Sequence, residues 1–171
     1  ISLLIKLFFK TKWKFILPPK KRILIYDKGL SEVIIKFFKK EEYEILHTRF
    51  EEINIPILLI SIFKLNNLSL SRKYIYQYIN YVNPKLIISM TDNKISFYKL
   101  KRWFKNITVI AIQNGYRIET FKTFENVTKS DNLSIDYLFV MSESQKKCYA
   151  QFIKGNNIVS GMFKNNSIPI V

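Results

Sequence analysis

The sequence contains very few of the residues that build metal, disulfide and nucleotide sites. Its 171 residues include one cysteine, one histidine and four glycines. A single cysteine, Cys148, excludes an internal disulfide and a zinc site made of several thiolates, and the lone His47 excludes a histidine-rich metal site. The scattered glycines form no GxGxxG or P-loop motif, the phosphate-binding loops of nicotinamide, flavin and nucleoside triphosphate sites. The sequence therefore predicts no metal and no cofactor.

Long apolar runs and acidic residues are also scarce. The longest apolar run, 53–63, is shorter than the roughly 18 residues that a membrane span needs, and it contains Pro56. Thirteen acidic residues against 28 basic ones leave a net charge of +15. Isoleucine and lysine are so abundant that coding bias in an AT-rich genome explains much of this charge, and no nucleic-acid-binding motif accompanies it. We therefore expect no specific nucleic-acid partner.

Short apolar strands alternate with helical segments along most of the chain. Strands are predicted at 22–26, 43–47, 85–89, 108–112, 136–140 and 157–160. Helices are predicted at 31–40, from Asn54 onward with Pro56 in the first turn, at 70–82, at 93–104, and after the capping sequence 142–145. This alternation predicts an α/β domain of the Rossmann-like three-layer kind, with a mainly parallel sheet of about six strands.

The chain divides into three predicted parts. Residues 1–21 form a basic and apolar N-terminal segment, 22–166 the Rossmann-like domain, and 167–171 the start of a linker to a second domain that is missing here. The first 22 residues carry seven basic side chains and no acidic one, interleaved with large apolar residues. This pattern predicts peripheral contact with an anionic membrane. The alternative is that the apolar residues pack on the domain while the lysines are solvated.

Polar residues follow every predicted strand, where parallel sheets of this kind bind their ligands. The candidate binding residues are Asp27, Arg49, Asn93, Gln113, Asn114, Gly115, Arg117, Gly161, Lys164 and Asn165. The candidate catalytic bases are Asp92, Glu51, Glu52 and His47.

Several of these residues also have a purely structural interpretation. Asn114 and Gly115 form a common turn pair, and Asp92 could cap the following helix. Glu51 and Glu52 could be solvated, and His47 could be a hydrogen-bonded residue at a strand end.

Five stretches of the chain together resemble a known family. They are "ILIYD" (23–27), "HTRFEEINIPILL" (47–59), "MTDN" (90–93), "IAIQNGYR" (110–117) and "IVSGMFKNN" (158–166). They resemble the N-terminal half of bacterial surface carbohydrate or O-antigen biosynthesis proteins, which look like GT-B glycosyltransferases. The resemblance covers roughly residues 20 to 166.

The resemblance implies an acceptor-side domain of a glycosyltransferase-like enzyme in surface polysaccharide biosynthesis. In GT-B enzymes the N-terminal domain mostly holds the acceptor, here a glycan or lipid-linked acceptor, and the second domain holds most of the sugar nucleotide. We therefore expect a cytoplasmic location, peripheral on the inner face of the membrane, and no turnover by this part alone. Two alternatives stay open: a sugar-nucleotide epimerase or polyol-phosphate transferase of the same two-domain fold, and a non-catalytic domain that binds glycan or an anionic surface.

Overall fold

The computed structural model describes residues 11–64, 67–116, 124 and 126–167. Its strands are β1 (Lys12–Lys14), β2 (Ile23–Tyr26), β3 (Tyr43–Leu46), β4 (Glu52–Asn54), β5 (Leu86–Ser89), β6 (Thr108–Ile112), β7 (Ser134–Val140) and β8 (Lys154–Val159). Its α-helices are α1 (Ser31–Ile34), α2 (Ile55–Phe63), α3 (Leu70–Val82), α4 (Ile95–Tyr98) and α5 (Glu143–Ala150). Short 3-10 turns lie at Ile35–Phe37, Leu100–Arg102, Lys129–Asp131 and Phe163–Ser167.

Six strands form one parallel sheet in the order β3-β2-β5-β6-β7-β8. Counted along the chain within this sheet, the order is 2-1-3-4-5-6, which is a doubly wound arrangement. The predicted α/β Rossmann-like class and the mainly parallel sheet are therefore confirmed. All carboxyl ends lie at one edge, and the direction of winding reverses between β2 and β5. Ligand crevices of such sheets lie at this switch point.

The two faces of the sheet are covered by different numbers of helices. Successive strand residues point to opposite faces, so Leu24 and Ile87 join one apolar cluster whereas Ile25 and Ile88 join another. The first cluster includes buried residues of α3, α4 and α5, and the second is covered by α1 through Ile34 and by Ile35 and Phe163 of two 3-10 turns. One face is therefore thickly covered and the other thinly.

Two predicted helices are much shorter than their apolar spacing indicates. The segment 31–40 forms α1 and one 3-10 turn, and the chain is extended at Phe38. The segment 93–104 likewise forms α4 and one 3-10 turn. Both segments are rich in β-branched and aromatic residues, which favour helices only weakly. The apolar spacing therefore indicates which side chains are buried, but it does not indicate how far each helix extends.

A second, two-stranded sheet was not predicted. Strand β1, within the basic N-terminal segment, pairs in parallel with β4, and Lys12 N donates to the carbonyl of Glu51 at 2.9 Å. Thr11 Oγ1 adds a hydrogen bond to the carbonyl of Phe50 at 3.2 Å. This part of the N-terminal segment is therefore fastened to the domain. None of the helices in the described ranges has the length and apolar character needed to cross a membrane.

Candidate functional site

The switch point between β2 and β5 is occupied by a buried carboxylate. Asp27 follows β2 directly, its backbone φ is 81°, and its side chain is 1% exposed. This left-handed conformation is rare for residues other than glycine, and strained residues of this kind are found most often at functional sites. Asp27 Oδ1 accepts from Gly29 N at 3.2 Å, and Oδ2 accepts from Thr91 Oγ1 at 3.4 Å. Asp27 therefore joins the ends of β2 and β5.

Two cationic side chains surround this carboxylate. Arg49 Nε lies 3.4 Å from Asp27 Oδ2, and the Arg49 side chain is 61% exposed. Lys94 Nζ donates to Thr48 Oγ1 at 2.6 Å and lies 5.7 Å from the centre of the Tyr26 ring. Burial lowers the pKa of Lys94, and the nearby Asp27 carboxylate opposes this shift. We call Asp27, Arg49, Thr91 and Lys94 the switch-point cluster.

His47 and Glu51 follow β3, and His47 lines a cavity together with Glu44 and Glu52. His47 Nδ1 is 4.0 Å from Glu51 Oε2, and this nitrogen is buried without a hydrogen-bond partner among the described residues. Burial lowers the pKa of His47, and the carboxylates of Glu52 and Glu51 oppose this shift in part. The imidazole is therefore held neutral near neutral pH and can accept a proton.

Glu52 and Glu44 form a second acidic region, next to β1. Glu52 Oε2 lies 3.9 Å from Lys14 Nζ. Burial raises the pKa of Glu44, the Glu52 carboxylate adds to the rise, and Tyr78 donates a hydrogen bond to Glu44 Oε1 at 3.1 Å. Glu52 is therefore engaged with the N-terminal strand more than with the switch-point cluster.

The motif Gln113-Asn114-Gly115 braces the ends of neighbouring strands. Gln113 is buried, its Nε2 donates to the Gly115 carbonyl at 3.0 Å and to Gln145 Oε1 at 2.7 Å, and its Oε1 accepts from Met141 N at 2.9 Å. Asn114 Nδ2 donates to the Met90 carbonyl at 2.7 Å. Gly115 has no positive φ, so the motif is not the left-handed turn that its sequence suggests. The amides hold the ends of β5, β6 and β7 together.

Asp92 lies at the expected edge, but its carboxylate points into the protein. The residue is completely buried, its Oδ2 accepts from Tyr149 OH at 2.5 Å, and its carbonyl accepts from Tyr98 OH at 2.6 Å. The residue at the cap of α4 is Lys94, not Asp92, and it makes no side-chain capping bond. Asp92 thus ties α5 to the end of β5, and this burial is unsuited to a base that meets a substrate. Its neighbour Asn93 is exposed.

The remaining candidates follow β8 or lie outside the described residues. Gly161, with a φ of 72°, follows β8, and Lys164 and Asn165 lie in the 3-10 turn after it. Strand β8 is four positions from β2 in the sheet, which at about 4.8 Å per strand is roughly 19 Å. Gly161 is therefore not part of the switch-point cluster. The turn that carries Lys164 and Asn165 comes back across the sheet, because the Phe163 ring lies 5.5 Å from the ring of Phe37, which follows α1. Arg117 lies outside the described residues.

Sequence reasoning missed Lys94 and Glu44. Lys94 was one lysine among many, and only its place directly after "MTDN" at the end of β5 could have singled it out. Glu44 sits inside a strand, where a charged residue at an alternating position normally faces solvent. Among the described residues, no group of three or more His, Cys, Asp or Glu side chains could hold a metal ion.

Comparison with known proteins connects the C-terminal part of the chain with a biosynthetic pathway. Residues 110–171 match the model of a family described as "putative O-antigen biosynthesis protein". The match begins within β6 and includes both "IAIQNGYR" and "IVSGMFKNN". No curated protein and no solved structure matches the chain. The family match supports an association with O-antigen biosynthesis.

Proposed function

We propose that this domain binds the acceptor in a glycosyltransferase-like reaction of surface polysaccharide biosynthesis. The observation that carries the proposal is the switch-point cluster, in which the exposed Arg49 and the half-buried Lys94 flank the buried Asp27 carboxylate. The family match over residues 110–171 supports the pathway, since O-antigen is a surface polysaccharide. The fold supports the location of the site, because doubly wound sheets bind ligands at this edge.

The cluster suits an acceptor glycan that carries a phosphate or carboxylate group. Asp27 is too buried to contact a ligand, but its ion pair fixes the Arg49 guanidinium, whose outer side faces solvent. A guanidinium that is already oriented binds phosphate or carboxylate through two parallel hydrogen bonds. Lys94 supplies a second positive charge next to it. Asp27 is thus a positioning residue, and Arg49 is the binding residue.

His47 is the base that this arrangement offers for glycosyl transfer. When the new glycosidic bond forms, the acceptor hydroxyl must give up its proton to a base. Burial keeps His47 neutral, and the Glu51 carboxylate 4.0 Å from Nδ1 stabilises the imidazolium that forms when Nε2 takes the proton. We assign the role of base to His47, assisted by Glu51, and not to Asp92, because the Asp92 carboxylate is buried against Tyr149.

Saturation-transfer NMR on the chain tests the proposal with sugar 1-phosphates, the parent sugars and sugar nucleotides as probes. We expect signal from the phosphosugars above that from the neutral sugars, and no further gain from the nucleotide, because the sequence has no glycine-rich phosphate loop. The variant Arg49→Met should lose most of this signal.

Arg72→Met is the matched control, because Arg72 is an exposed arginine on α3 and outside the cluster. The Arg72→Met variant should give the same phosphosugar signal as the unmodified chain. Equal binding by the two variants, or no phosphosugar signal from the unmodified chain, would contradict the proposal.

A further inference from the structure

Helix α2 exposes apolar side chains where a surface helix normally exposes polar ones. Its sequence, IPILLISIF, contains no charged residue. Its one polar residue, Ser61, faces inward, and its Oγ donates to the Ile57 carbonyl at 2.6 Å. The outward residues Leu59, Ile60, Ile62 and Phe63 are all exposed, Phe63 to 79%. Ile57 on the inner face is buried as well, so the helix is apolar on both faces, whereas a helix that packs on a domain and faces water has a polar outer face.

A second group of exposed apolar side chains lies at the beginning of this helix. Phe15 and Ile16, in the loop after β1, are 74% and 85% exposed. Asn54 Nδ2 donates to the Ile16 carbonyl at 2.7 Å, while Asn54 Oδ1 caps α2 by accepting from Ile57 N at 3.2 Å. One asparagine therefore holds the loop against the helix. We call Phe15, Ile16, Leu59, Ile60, Ile62 and Phe63 the apolar patch.

The patch comes from two stretches of sequence that lack negative charge. Residues 1–26 and 53–91 contain no aspartate or glutamate. Exposed lysines accompany the patch along the chain at Lys12, Lys20 and Lys64, whereas Lys14 lies 3.9 Å from the carboxylate of Glu52. Apolar side chains that insert below lipid headgroups, together with lysines that reach the headgroups, are the features that bind a protein to an anionic bilayer.

We propose that the apolar patch docks on an anionic membrane surface, with α2 lying in the plane of the interface. At about 1.5 Å per residue the helix is roughly 14 Å long, less than half of the hydrocarbon thickness, so it cannot insert across the bilayer. A second copy of the chain fits the patch poorly, because self-association would bring the lysines of the two copies together. This inference goes beyond the proposed function and does not depend on the switch-point cluster.

Co-sedimentation with vesicles tests the docking surface. The unmodified chain should sediment with vesicles of phosphatidylglycerol and phosphatidylcholine in equal parts, less with phosphatidylcholine alone, and less as salt is added. The double variant Leu59→Ser/Phe63→Ser should lower the partition coefficient by roughly tenfold or more, because two large side chains no longer enter the bilayer. The matched control is Phe37→Ser/Ile158→Ser, which alters two exposed apolar residues outside the patch and should partition like the unmodified chain.

A second measurement reports insertion directly without changing the patch. The chain has two tryptophans, so Trp103→Phe leaves Trp13, two residues before Phe15, as the sole tryptophan. Lipids brominated near the headgroup should quench its fluorescence. Absence of quenching, or equal partitioning of the Leu59→Ser/Phe63→Ser variant and the control, would overturn the proposal. Sedimentation equilibrium without lipid would assign the patch to a second copy if the chain dimerises and the same double variant abolishes the dimer.

Discussion

At the scale of single residues, the polar side chains near the sheet edge are of two kinds. Some are hydrogen-bonded to neighbouring strands and helices, and others are accessible to a ligand. Gln113, Asn114 and Asp92 have their side-chain atoms committed to neighbouring strands and helices. Arg49 keeps most of its surface exposed while one ion pair holds it. A strand ending in two amides is therefore explained by the need to fasten adjacent strand ends, and the residues that can meet a ligand, Arg49 and Lys94, follow β3 and β5 instead.

His47 makes the stability of the fold depend on pH. Burial lowers its pKa in the folded protein, so below the ordinary histidine value of about 6.5 the unfolded chain binds a proton that the folded chain resists. The contribution of His47 to the free energy of unfolding is therefore complete above that pH and decreases as the pH falls below it. In His47→Gln this decrease should be absent. Urea unfolding of both proteins at about pH 7.5 and about pH 5.5 measures it. If the free energy of unfolding falls equally in the two proteins between these pH values, the pKa of His47 is not lowered by folding.

At the scale of helices and strands, the features that depend on neighbouring residues were predictable. Asn54 and Ser142 cap their helices through side-chain bonds, and α3 ends directly before Asn83 and Pro84, as the sequence indicates. The pairing of β1 with β4 could not be predicted, because Lys12 and Glu52 are far apart in sequence and neither strand has a two-residue alternation long enough to recognise.

The two serines that precede helices provide an internal test of capping. Ser142 Oγ accepts from Gln145 N at the start of α5, whereas Ser69 makes no side-chain capping bond at the start of α3. Ser142→Ala should therefore lower the free energy of unfolding by about 1 kcal/mol, and Ser69→Ala should change it much less. Chemical denaturation of the two variants provides the comparison. An equal cost at both positions would show that the cap at Ser142 contributes nothing specific.

At the scale of the whole molecule, the sequence predicted the edge of the sheet where polar residues gather but not their order along it. Alternation of strands and helices is enough to infer a parallel sheet, and a parallel sheet places all carboxyl ends together. The order that brings Asp27 beside Arg49 and leaves Gly161 at the far end depends on strand pairings, for which the sequence has no local signal. The sequence also has no local signal for the orientation of the Asp92 side chain, which points inward because its carboxylate accepts a hydrogen bond from Tyr149 of α5.

The unequal cover of the two sheet faces leads to a prediction about the stability of the whole domain. Ile87 and Ile88 are adjacent in β5 and both buried, but Ile87 belongs to the face covered by α3, α4 and α5, and Ile88 to the face covered by α1 and two 3-10 turns. Truncation to alanine removes the same atoms and should cost about 2–5 kcal/mol at either position. The cost should be larger for Ile87→Ala, because three packed helices collapse less readily into the cavity than one short helix and two 3-10 turns do. Urea unfolding followed by circular dichroism and by tryptophan fluorescence measures both. If Ile88→Ala proves the more costly variant, the thinly covered face is as rigid as the other.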